Sequence, residues 1–216
     1  MTKDSKYCLA TAAVTGVNIF NVATGEKVKE VEVPGNQAFC TKLAFGDKLF
    51  FVMYKQERMC YLRFYNLDDV LKASDTPKVI KEIKSSGENI YTHALWGPLN
   101  KTIYTSTTNG KVLCIDYGST KTLKEVQVHR AEIFQIQLTH DYTMLFTASK
   151  DGTAKLLNPE TFEEIRSFSF TAGPCRAVAV SPLFDDQDIQ KFHCVVGGGI
   201  DAREAAFTEA SGGGGF

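Results

Sequence analysis

The pair Asp151-Gly152 stands between two short apolar runs, residues 144–149 (MLFTAS) and 153–157 (TAKLL), and both of its residues tolerate the positive φ that a tight hairpin demands. The chain must double back there. On the near side, a run carrying Ile133, Ile136 and Leu138 ends at the turn-forming Thr139-His140-Asp141. On the far side TAKLL stops at Asn158-Pro159, because proline cannot continue a central strand. Residues 163–170 (EEIRSFSF) then alternate polar and apolar, the period of a strand with one wet face. The span 129–170 therefore holds four short antiparallel strands, and such a unit buries its faces only against neighbours built like itself.

Those neighbours are visible as a repeat. Segments that read as third strands start at Gly16, Gly110 and Gly152; the last two lie 42 residues apart, inside the roughly 40–45 of a WD-type propeller blade. The earlier gap of 94 residues fits two blades, with MCYLRFYNL from Met59 as the intervening third strand and DDVLKASDTP as an insertion after it. Phe20, Tyr65, Ile115 and Leu157 fall at or near the position where WD repeats prefer Trp, and Asn21, Asn66, Asp116 and Asn158 take the polar position that follows. The expected fold class is all-β, a WD-repeat β-propeller present as an incomplete set of about four to five blades. Residues 7–33 are expected to form the last three strands of a blade, 36–84, 88–128 and 129–170 three full blades, and 171–200 two further strands. After residue 200 the periodicity stops, and 201–216, with four consecutive glycines, reads as flexible loop or truncated end. An excerpt of a longer propeller is the favoured reading over a reduced subunit completed by partner strands, because open sheet edges invite aggregation.

In a WD blade the leading His, a hydroxyl on the second strand and the Asp of the second turn bond to one another. The candidates are His129, Thr147 (or Ser149) and Asp151, with Leu157 in place of the Trp that would end the network. The same residues could be written as a hydrolase triad, but no GxSxG elbow surrounds Ser149, and the structural network accounts for them better. His93, His140 and His193 lack metal-ligand spacing. Asp185, Asp186 and Asp188 lack the glycine and bidentate Glu of a calcium loop, and Gly197-Gly198-Gly199 lacks the Lys of a phosphate loop. No catalytic site, metal or cofactor is expected.

Composition narrows the partners. A net charge of −1 offers no basic face, so sequence-specific binding of nucleic acid is not expected. No apolar window approaches the twenty or so residues of a membrane span. Six cysteines without a CxxC pair, four of them (Cys8, Cys60, Cys114 and Cys194) within apolar runs, read as buried reduced thiols in a cytoplasmic protein.

Several stretches go beyond a generic repeat: HALWGPLNKTIY, IQLTHDYTMLFTASKDGTAKLLN, and AVAVSPLFD followed by CVVGGGIDA, with ATGEKV and FYNL earlier in the chain. In this order they closely resemble the WD-repeat subunit I family of eukaryotic translation initiation factor 3, strongly over 90–200 and collinearly over 7–89. The resemblance implies a seven-bladed propeller, of which this chain would run from within the second blade to within the sixth. It implies a non-catalytic scaffold that supports assembly of the small-subunit preinitiation complex and mRNA recruitment. Its implied partners are initiation factor 3 subunits b and g and, within that complex, the small ribosomal subunit. The contact with subunit b falls by the same resemblance on Asp141, which keeps the family's acidic charge, and on Asn158, which has lost it. The alternative is a WD-repeat adaptor for a signalling or ubiquitin-ligase complex, against which LWGPL and VVGGG argue.

Overall fold

One hairpin turn occurs four times among the described residues of the computed structural model, and it sets the frame for everything else. The structure describes residues 1–199 except 14, 36, 75, 171–172 and 182–192; the acidic segment with Asp185, Asp186 and Asp188 and the tail 201–216 lie outside the described residues. In each turn an N–H bonds the carbonyl five residues on: Thr2 to Tyr7, Ala44 to Leu49, Gly97 to Thr102 and Thr139 to Met144. The residue two or three places into the turn takes a left-handed backbone, as at Ser5, Asp47, Asn100 and Tyr142. Thr2 and Thr139 even share their side-chain bonds, each hydroxyl donating to the Asp two residues later.

The described strands form five antiparallel sheets. The first contains β1 (Tyr7–Ala12), β2 (Gly16–Asn21) and β3 (Lys27–Glu32). The second contains β4 (Ala38–Leu43), β5 (Leu49–Gln56), β6 (Met59–Asn66) and β7 (Lys81–Lys84), the third β8 (Tyr91–Trp96), β9 (Thr102–Thr107), β10 (Lys111–Asp116) and β11 (Thr122–Gln127). A fourth holds β12 (Ile133–Leu138), β13 (Leu145–Ser149), β14 (Thr153–Leu157) and β15 (Glu164–Ser169), and a fifth β16 (Cys175–Val180) with β17 (Cys194–Gly198). Because the 2–7 turn is built like the turn before β13, β1 is the counterpart of a second strand rather than a first.

Register repeats as well. A bulge interrupts the first strand at Ala38/Cys40, Tyr91/His93, Ile133/Gln135 and Cys175/Ala177. Another interrupts the pairing of third and fourth strands at Ile19/Phe20, Cys114/Ile115 and Leu156/Leu157. The strands β4, β8, β12 and β16 pack side by side in succession, so the sheets fan outward from a common inner row. A bulge adds local twist, which lets neighbouring sheets splay from that row.

Sheet stacking explains why the inner runs are apolar without alternation. In LFFVMY of β5, Phe50, Val52 and Tyr54 face the first sheet with Val17, Ile19 and Val31, while Phe51 and Met53 face the third with Leu113 and Ile115. Both faces are buried, so both parities are apolar. Trp96 closes the second-to-third layer: its ring sits 5.4 Å from Phe64 and 5.2 Å from Tyr117, and its indole N–H donates to the Lys42 carbonyl at 3.1 Å.

The expectation of buried thiols needs correction, and the insertion acquires a structure. The insertion DDVLKASDTP contributes to a short helix, α1 (Leu67–Lys72), capped by the Asn66 side chain accepting from the Asp69 N–H. Of the six free thiols, Cys40, Cys60 and Cys175 are buried, but Cys8 and Cys114 are half-buried and Cys194 is exposed, because β17 has no sheet neighbour beyond β16 among the described residues.

Candidate interaction edge and its buried network

His129 sits in the link between the third and fourth sheets, held by its own N–H on the Gly110 carbonyl at 2.9 Å. Its Nδ1 lies 3.1 Å from Asp151 Oδ2, and its Nε2 lies 2.7 Å from Thr147 Oγ1. Asp151 also accepts from the backbone N–H of Arg130 and Thr153 and from the Thr153 hydroxyl. Partial burial works against the charge of Asp151, yet the Thr153 and Arg130 bonds and the neighbouring His129 hold its pKa down at about 2. An ionised Asp151 can only accept, so Nδ1 carries the ring proton, and Nε2 accepts from the Thr147 hydroxyl. Burial pushes the His129 pKa below its usual value against the pull of Asp151.

The hydroxyl side of this arrangement is sealed. Thr147 and Ser149 have no exposed surface, and His129 is 2% exposed. Ser149 does not meet His129; it donates to the Glu132 carbonyl at 2.9 Å and accepts from the Asp151 N–H at 3.1 Å. The His–Asp–hydroxyl geometry therefore joins strands β13 and β14 to the preceding link, with no room for a substrate at the hydroxyl. Thr147, whose one hydroxyl proton goes to His129 Nε2, ends the network. Sequence reading missed Thr153, whose signal was its place two residues after a turn Asp, where a hydroxyl can return to the carboxylate.

The third sheet holds an amide version. Thr107 donates to Asn109 Oδ1 at 2.5 Å, Asn109 donates to Asn89 Oδ1 at 3.2 Å, and Asn89 donates to Glu125 at 3.1 Å. Register aligns Thr105 with Thr147, since Tyr91 pairs Thr107 as Ile133 pairs Ser149. Gly87 occupies the place of His129, four residues ahead of the strand, and the buried Thr105 hydroxyl has no partner. Among the described residues no group of three His, Cys, Asp or Glu side chains is placed to hold a metal ion.

Asp141 and Asn158 lie at one end of the fourth sheet. Thr139 N–H reaches Met144 just before the Leu145–Leu157 pair, and Asn158 follows that pair directly, so their two turns emerge together. Each side chain first serves its own turn. Asp141 accepts from the hydroxyls of Thr139 and Thr143 at 2.6 and 2.8 Å and from the Thr143 N–H at 3.1 Å. These bonds outweigh burial and lower its pKa, so it presents a firmly ionised carboxylate. Asn158 accepts from the N–H groups of Glu160 and Thr161. The equivalents Asn21, Asn66 and Asp116 do the same in their own turns, so the polar residue after the third strand is a turn former throughout. No direct bond joins Asp141 to Asn158 among the described residues.

No protein-family profile matches the chain. It is 31% identical over 206 residues to a Danio rerio protein named eukaryotic translation initiation factor 3 subunit I, a match covering 95% of this chain and 60% of that protein. Proteins of the same name from Taeniopygia guttata and Homo sapiens are each 30% identical over the same shares. The chain thus spans about 60% of the length of the curated relatives it matches.

Proposed function

We propose that this chain, a relative of subunit I of eukaryotic translation initiation factor 3, serves as a non-catalytic scaffold within that factor. The observation that carries the reading is the collinear match to proteins of one name across 95% of the chain. The radial sheets with their repeated turns and bulges support a WD-repeat propeller, in which each sheet is one blade. The sealed His129 network supports a structural rather than a chemical role for its residues, since a nucleophile must be reachable. On this reading the chain works in the cytoplasm, in assembly of the small-subunit preinitiation complex and mRNA recruitment.

The partners assigned are subunits b and g, with Asp141 and Asn158 on the edge that meets subunit b. An ionised carboxylate beside a half-buried tyrosine suits a basic, partly apolar helix. The test is capture of the purified chain on the C-terminal segment of subunit b, with co-sedimentation on small ribosomal subunits in the presence of the remaining factor subunits. Capture and co-sedimentation are expected. Failure of both overturns the scaffold, whereas capture without co-sedimentation leaves subunit b as partner and removes the ribosomal role.

A further inference from the structure

Lys29, Lys81, Lys124 and Arg166 hold the same place in four successive sheets. Each pairs with the residue two places before the polar turn former at the end of the third strand: Ile19, Phe64, Cys114 and Leu156. Three of them make the same contact. Lys29 Nζ donates to the Ala73 carbonyl at 2.6 Å, at the end of α1, which opens directly after Asn66. Lys81 Nζ donates to the carbonyls of Tyr117 and Gly118, the two residues after Asp116, and lies 4.7 Å over the Tyr117 ring. Lys124 Nζ donates to the Glu160 carbonyl at 3.0 Å, two residues after Asn158. Each lysine thus grips the connection between third and fourth strands in the next sheet. The acceptors are backbone carbonyls, so the contact depends on the build of that connection and not on its side chains.

Arg166 is the member without an acceptor among the described residues, and it is exposed where the three lysines are half-buried. It shares a face of the fourth sheet with Leu156 and Phe168, which pack into the layer against the fifth sheet. In that fifth sheet β16 and β17 fill only the first two strand places. β17 is paired along one edge among the described residues, and Val195 on it is 69% exposed. The place beside Arg166, where a third strand, a turn and a fourth strand stand in the second, third and fourth sheets, is open among the described residues. Residues 201–216, which follow in the sequence, hold no alternating run that would fill it.

We propose that the free edge of β17 and the adjoining face at Arg166 are a docking surface for a β-hairpin of a partner polypeptide. One strand of that hairpin pairs with β17, whose unpaired backbone groups supply the main-chain bonds. Its turn presents successive backbone carbonyls to the Arg166 guanidinium, whose forked donors suit two acceptors, as the Lys81 ammonium already serves two. The three engaged lysines are internal examples of this occupant. The proposal rests on contacts between sheets and on none of the partners assigned above.

A head-to-tail cyclised peptide of residues 110–127, the β10–β11 hairpin with its turn preformed, tests it by anisotropy titration against the full chain. Saturable binding is expected. Arg166→Glu should weaken it at least tenfold, whereas Arg166→Lys should largely preserve it, since lysine fills this place in the other sheets. Arg58→Glu, at an exposed arginine elsewhere, should change nothing. A cyclised peptide of residues 38–56, a hairpin of first and second strands, should not bind. Without peptide, Arg166→Met should leave Tm unchanged, whereas Lys124→Met, which loses a bond already made, should lower it. No binding of 110–127, equal binding of 38–56, indifference to Arg166→Glu, or a fall in Tm for Arg166→Met overturns the proposal. So does self-association of the chain in sedimentation that Arg166→Glu abolishes, which would assign the place to a second copy.

Discussion

His129 Nε2 receives the Thr147 hydroxyl at 2.7 Å, whereas Thr105, at the matching place one sheet earlier, is as deeply buried and has nothing to bond. Two threonines in equivalent strands thus have opposite energetic signs. His129→Ala strands Asp151 and Thr147 together and should cost about 1–3 kcal/mol. Thr105→Val replaces an orphaned hydroxyl by a methyl of the same shape and should leave stability unchanged or raise it by about 1 kcal/mol, while Thr147→Val should lower it. Urea midpoints of the three variants check the assignment, and equal effects of the two valines would contradict it.

Acid should weaken the fold in two stages. Burial, helped by Lys42, pulls the His93 pKa from 6.5 down to about 3, and its Nδ1 is buried without a partner. His129 is lowered as well. Both titrate near 6.5 when unfolded, so the unfolded chain takes up protons first as pH falls. The stability of the neutral rings is full above pH 6.5 and is lost progressively between 6.5 and about 3, by an amount on the order of 2–4 kcal/mol. Asp151, depressed from 3.8 to about 2, adds a further loss below pH 3.8. His93→Leu should flatten the first stage of a stability profile measured from pH 7 to 4.

Backbone space predicts a contrast between two glycines. A Cβ on Gly110 would stand 2.3 Å from the His129 carbonyl and 2.8 Å from that of Ala131, at φ +85. Gly110→Ala should therefore cost at least about 2 kcal/mol and disturb the link that holds His129. Gly25, at φ +73, meets nothing within 4 Å, so Gly25→Asn should stay within about 1 kcal/mol of the parent. Thermal denaturation of both variants settles the comparison.

On the proposed Asp141–Asn158 edge, charge rather than shape should decide binding. Asp141→Asn keeps an acceptor for Thr139 and Thr143 but removes the charge, and should weaken capture by the subunit b segment about tenfold, since a charge-assisted bond is roughly twice as strong as a neutral one. Asn158→Asp should leave capture unchanged or strengthen it. Calorimetry with the purified segment measures both, and indifference to Asp141→Asn would remove this residue from the interface.

Much of this was legible because the repeat imposes itself on local chemistry. The glycines at 16, 110 and 152 and the polar residues at 21, 66, 116 and 158 mark turns, and turns act through neighbours only a few residues away. Features that depend on a distant strand were harder. Residues 1–6 precede the first expected strand, yet Thr2, Asp4 and Ser5 reproduce the turn of Thr139, Asp141 and Tyr142, a likeness that emerges only from paired backbone bonds. Helix α1 is a single capped turn and a half whose burial rests on Leu67 and Val70 meeting the first sheet, a contact no local pattern encodes. The candidate edge divides in the same way: the turn positions of Asp141 and Asn158 were readable, whereas their full engagement in capping their own turns was not.

The stacked layers also dictate how damage spreads. Phe50 and Phe51 are covalent neighbours, but one belongs to the layer against the first sheet and the other to the layer against the third. A cavity cut at Phe51 loosens the grip between the second and third sheets and leaves the first seated; one cut at Phe50 does the reverse. Leu145 and Phe146 divide their loyalties in the same manner one unit further on. Faults in adjacent residues are thereby quarantined on opposite sides of a single strand, and the molecule comes apart at seams between sheets rather than by collapse of one common centre.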